Sequence, residues 1–94
     1  MILNAYTLHD AKALVYNQPF FAANHPVAIR MVSDIASDTN TSIGRHPRDY
    51  TLYRIGTYDD QTGFFQPLEI REHVCDVITL VQPIPTPLFP KENA

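Results

Sequence analysis

The sequence predicts an α+β fold: one amphipathic helix packed on a small, mostly antiparallel sheet of three to five strands, with a proline-rich C-terminal tail. Three observations carry this expectation. Ala28, Met31, Val32, Ile35 and Ala36 recur at helical spacing and form one apolar stripe. Residues 50–58, YTLYRIGTY, are dominated by strand formers, and the Asp59-Asp60-Gln61-Thr62-Gly63 run behind them has the composition of a type I turn closing a hairpin. Beyond Gln82, PIPTPLFP places four prolines in eight residues, which no central strand tolerates.

The elements follow in order. Ile2, Asn4, Tyr6 and Leu8 share one parity, so a first strand is expected over about residues 2–8. His9-Asp10 reads as a turn, and Ala13 to Tyr16 as a second short strand, with a helical turn through Ala11-Lys12-Ala13-Leu14 as the alternative. NQPFFAANHP (17–26) reads as a loop punctuated by Pro19 and Pro26. Phe20 and Phe21 lie in it. At least one is expected to plug the core, since aromatic rings bury a large apolar area; the competing reading is an exposed ring that stacks on a base or binds a protein partner. The helix is expected over about 26–37, with Asn24 or His25 as its cap and Pro26 in its first turn. The short polar side chains of SDTNTS end it.

In the strand at 50–58 both faces carry large side chains, so its buried face stays open. Gly56 marks a bulge or a close backbone approach. Phe64-Phe65-Gln66 is expected to return as the partner strand and to stop at Pro67, LEIREH (68–73) to form a short helical turn, and VCDVITLV (74–81) to form a last strand. Residues 1–82 then make a single domain, and 83–94 a flexible, polyproline-like tail.

Composition narrows the function. A 94-residue chain has a thin core, burying roughly 60–65% of the surface its unfolded form exposes, and a homo-oligomer would thicken it. A net charge of −3 argues against a whole-surface grip on nucleic acid and leaves room only for a local basic patch. Cys75 is the single cysteine, so neither an intramolecular disulfide nor a four-cysteine zinc site can form. His73 and Cys75, two apart beside Asp76, would share one strand face, but a metal site needs three or four convergent ligands. Cys75 reads instead as a small core hydrophobe.

Neither a metal nor a cofactor is expected. The Asp59-Asp60 pair lacks the alternating ligands of a calcium loop and is explained by turn chemistry. No nucleophile elbow, phosphate loop or zinc-protease motif is present, and an enzyme is not expected. The N-terminal residues lack a signal-peptide pattern, and no apolar run approaches the roughly 20 residues that span a bilayer. A soluble intracellular protein without a membrane partner is the expectation.

One stretch remains. GRHPRDYTLYRIGTYDDQTG (44–63) interleaves Arg45, Arg48 and Arg54 with Tyr50, Tyr53 and Tyr58. Guanidinium groups for phosphates and rings for bases are what a single-stranded nucleic-acid surface uses. The alternative is a solvated lead-in to a strand, with Arg48 or Arg54 paired to Asp49, Asp59 or Asp60 and the tyrosines packed on the helix.

The same stretch, with KALVYNQPFF at 12–21 and SDTNT at 37–41, resembles the small nonstructural protein of gokushovirus-like microviruses, phages with circular single-stranded DNA genomes. The resemblance runs from about Leu3 to Val81 and does not reach the tail. It implies a product made in the cytoplasm of the infected bacterium and absent from the virion. It further implies a counterpart of the small microvirus protein that turns replication towards single-stranded DNA synthesis and packaging. The family brings no catalytic residues to transfer.

The expected function is therefore a non-enzymatic accessory protein that touches single-stranded DNA, the phage replication complex or the procapsid. Arg45, Arg48, Tyr50, Tyr53 and Arg54 are its candidate DNA-contacting residues. The alternative is a protein–protein adaptor or host-directed inhibitor that binds no nucleic acid. It would use Phe20 and Phe21 as interface and the Pro87-x-x-Pro90 spacing as a docking motif.

Overall fold

A computed structural model describes residues 1–81; the tail, with Pro87 and Pro90, lies outside the described residues. The strands are β1 (Ile2–Asp10), β2 (Val15–Tyr16), β3 (Phe20–Ala22), β4 (Tyr50–Asp59) and β5 (Phe65–Asp76). The helices are α1 (His25–Ala36) and the single turn α2 (Ser42–Arg45), with short 3-10 turns at Pro47–Asp49 and Val77–Leu80. This is the expected α+β arrangement, with one main helix and an antiparallel sheet of five strands. The sheet order is β2-β1-β4-β5, with β3 also paired to β1. β1 is central: β4 pairs along its whole length, while β2 and β3 share its other edge.

Helix α1 forms for the reasons its sequence states. Asn24 stands in extended conformation before it and accepts the Val27 amide at 3.0 Å, and Pro26 occupies the first turn. Ala28, Val32 and Ala36, spaced by four, lie against the sheet. The two alanines let the helix axis come close, so the larger Met31 and Ile35 are moved to the flank, each 40% exposed. Under the helix lie Tyr6 and Leu8 of β1, Ala22 of β3, Tyr50 and Leu52 of β4, and Val77.

The C-terminal third departs from the sequence-based expectation. Pro67 does not end its strand, and LEIREH is not a helical turn; β5 runs through both to Asp76. The reason is position. β5 is an edge strand, where a missing backbone donor is tolerated. The apolar VITL run is not strand either: it curls into a 3-10 turn that tucks Val77, 0% exposed, beneath α1. β5 is also irregular. Arg54 pairs with Glu72 and Gly56 with Pro67, so Ile55 alone faces the four residues Leu68–Arg71. Gly56 lies at this bulge and also at a close approach, where a Cβ would come within 2.7 Å of the Phe65 ring. The hairpin between β4 and β5 closes with a Gly63 amide bond to the Asp59 carbonyl (2.8 Å) and Gly63 at φ +78°, a left-handed conformation suited to glycine.

Candidate nucleic-acid interface

Helix α1 covers one face of the sheet. On the other, strand register assembles a group of rings from four strands. His9 lies opposite Tyr16, Thr7 opposite Tyr53, and Tyr53 opposite His73, so these side chains share a face. Ring centroids are 4.5 Å apart for His9 and Tyr16, 6.3 Å for Tyr16 and Tyr53, and 6.0 Å for Tyr53 and His73. Thr7 forms the floor, its buried hydroxyl donating to the Asn17 carbonyl at 2.7 Å. The Leu68–Arg71 bulge brings Arg71 back over this face, with its guanidinium carbon 5.3 Å from the Tyr16 centroid and 5.1 Å from that of Tyr53. Both distances lie within the roughly 6 Å reach of a cation–π contact. Among the described residues Arg71 makes no ion pair. Phe21 and Tyr58, 5.1 Å apart, extend the aromatic row along the same face.

The residues singled out in the sequence are distributed among four places. Tyr53 is on the open face. Tyr50 turns its ring into the core, 5% exposed, with its hydroxyl 3.1 Å from that of Ser42, so no base can stack on it. Arg54 lies opposite Tyr6 on the helix side, donating to Asn4 Oδ1 at 3.0 Å and to Glu72 Oε1 at 3.3 Å. Arg45 and Arg48 stand at a separate basic corner, lining a recess of about 240 Å³ with His46, Pro47 and Asp49. That corner exists because Thr41 caps α2 through the Gly44 amide, folding the chain back before the 3-10 turn. Of the phenylalanines, Phe20 stacks on Tyr6 beside the core and Phe21 is 41% exposed on the open face.

Composition offers no signal for Tyr16, His9, His73 or Arg71, because their meeting depends on register and on the bulge. His73 and Cys75 do not share a face as their spacing suggests. Leu52 pairs with Cys75 and Tyr53 with His73, leaving Val74 extra, and that slip reverses the alternation. Cys75 packs against the core, where burial pushes its thiol pKa up; His73 lies 3.1 Å from the Asp76 carboxylate. Among the described residues no three His, Cys, Asp or Glu side chains converge as metal ligands.

The turn before β2 is held by Asp10, whose Oδ1 accepts the amides of Lys12 (2.9 Å) and Ala13 (3.2 Å). The Ala13 bond is the chief cause that holds this carboxyl below its usual value; partial burial opposes it, and the Lys12 amide, the Tyr50 hydroxyl and His9 reinforce it. A carboxyl with a lowered folded pKa contributes stability above its unfolded value of about 3.9, and loses it as pH falls through the folded value. The Lys12 and Ala13 amide resonances are therefore expected to shift together in acid, at a pH below that of ordinary aspartates. Asp10→Asn should abolish the shift.

No helix among the described residues is long and apolar enough to cross a membrane. No curated protein and no solved structure matches the chain. The family model described as Phage ORF5 protein matches residues 3–80, and the chain belongs to that family.

Proposed function

We propose that this phage protein is a non-enzymatic accessory factor that binds single-stranded viral DNA on the helix-free face of its sheet. In doing so it assists the switch to single-stranded DNA synthesis and packaging in the host cytoplasm, without entering the virion. The observation that carries the reading is the Tyr16–Tyr53–Arg71 group. Two rings and a guanidinium that has no ion pair among the described residues, brought together from three strands on the face opposite α1, supply stacking and phosphate contact at once. The Arg45–Arg48 corner at the start of β4 offers further phosphate contacts. The resemblance to the gokushovirus-like nonstructural protein supplies the role in the replication cycle. Exposed Phe64 and Ile70, 77% and 83% accessible, favour a second reading, in which the same protein is an adaptor for replication or procapsid proteins.

Fluorescence titration of an unstructured oligonucleotide across ionic strength separates these readings. Contacts from Arg45, Arg48 and Arg71 give a log–log salt slope of about −2, at roughly 0.7 per neutralised phosphate on a single strand. Absence of binding at the lowest salt would sink the DNA reading and leave the adaptor.

A further inference from the structure

Leu14 is placed where a leucine is doubly unfavourable. Its φ of 59° is left-handed, a conformation that glycine and asparagine adopt and branched or bulky side chains avoid. Its side chain is also 78% exposed, with Val15 beside it 50% exposed. The conformation is fixed rather than loose. The Leu14 amide donates to the Asp10 carbonyl at 2.8 Å, and the Asp10 carboxylate holds the two preceding turn amides. The turn thus presents a preorganised apolar knob. Strain held against an available alternative points to a use for the side chain.

Beginning three residues further along the chain, at Asn17, the same edge of the molecule carries an apolar groove of about 230 Å³. Phe20, Met31, Ile35 and Ile43 line it, with Asn17 and Gln18 at its rim. Leu14 does not fill its own groove. Charge matches across the pair of features: Lys12 stands beside the knob, while Asp34 lies three residues after Met31 on α1 and Asp38 stands just past the Ser37 cap that ends the helix. None of these three charged side chains is in an ion pair among the described residues.

We propose that two copies of this chain associate about a two-fold axis, each inserting Leu14 into the other's groove and setting Lys12 against Asp34 and Asp38. A knob and a groove on one edge are what an isologous contact needs, since a single rotation satisfies both halves. Charge of opposite sign beside each half sets the register. The contact uses the turn and the helix side, so it leaves the aromatic face free in both copies and stands or falls apart from DNA binding.

Sedimentation velocity of the full chain over a range of concentrations tests this. The wild type is expected to pass from monomer to dimer. Leu14→Asn, which suits the left-handed backbone, is expected to weaken dimerisation at least tenfold. In solution dilute enough for both to be monomeric, its melting temperature should equal or exceed that of the wild type. Lys12→Glu should weaken the dimer, and adding Asp34→Lys should recover part of the loss. A wild type that stays monomeric at every soluble concentration overturns the proposal. So does a Leu14→Asn protein that dimerises as well as the wild type, or one that melts lower in dilute solution, because the leucine would then serve its own fold.

Discussion

Tyr6→Ala is expected to destabilise the fold by about 3–5 kcal/mol, the range for removing a fully buried aromatic ring. Small domains have roughly 5–15 kcal/mol in total, so much of this one would unfold in mild denaturant. Tyr6 is 0% exposed at the centre of β1, stacked against Phe20 at 5.7 Å and edge-on to His25 at 5.6 Å. It also ends in a polar chain. Its hydroxyl is 2.8 Å from His25 Nδ1, His25 Nε2 lies 3.6 Å from Glu72, and Glu72 takes Arg54. This network fastens the first turn of α1 to three strands. Tyr6→Phe keeps the ring and removes only the hydroxyl, leaving His25 Nδ1 without that partner, and is expected to cost about 1–2 kcal/mol. Urea denaturation should therefore rank the proteins wild type, Phe, Ala, with the larger gap at the second step. Equal losses in the two variants would put the hydroxyl network, rather than ring packing, at the centre of the fold.

The elements that could be read from the sequence are those whose cause is local. Helix α1 is set by its own stripe, cap and proline, and β4 by its composition and the turn behind it. Even there the width of the buried stripe is a tertiary matter. Met31 and Ile35 belong to the helical periodicity, yet they flank a groove because Ala28 and Ala36 make the close contact. β5 was hidden by causes that are not local. Its proline is harmless only at a sheet edge, and its alternation is broken twice, by the four-residue bulge at Leu68–Arg71 and by the extra Val74.

The candidate interface inherits those obscurities. Arginine and tyrosine interleaving at 44–58 marks a surface of the right chemistry, but strand alternation sends Tyr50 and Arg54 to the helix side. Tyr53 remains outside, and its neighbours there come from β2 and from beyond the bulge. Residues 37 positions apart, Tyr16 and Tyr53, meet only because β1 lies between their strands with His9 and Thr7 in register.

The variant that most directly probes that interface is the double substitution Tyr16→Ala with Tyr53→Ala. Stacking of a base on an aromatic side chain contributes about 1–3 kcal/mol. Losing both rings is therefore expected to weaken binding of a single-stranded oligonucleotide by about 30-fold or more. The loss should persist at high salt, because stacking releases no counterions. Arg71→Ala should behave differently: a smaller loss at low salt, and a salt slope shallower by about 0.7. Tyr50→Phe, which removes only the hydroxyl and its contacts with Ser42 and Asp10, should leave affinity unchanged. Circular dichroism of each variant checks that the sheet survives, as expected for side chains on an open face. A double alanine variant that stays folded and binds as tightly as the wild type would remove the aromatic face from the mechanism. Binding that vanished with Arg45 and Arg48 instead would move the DNA path to the basic corner. The two surfaces are separated by the strand end at Tyr50, so each set of substitutions reports on its own part of the path.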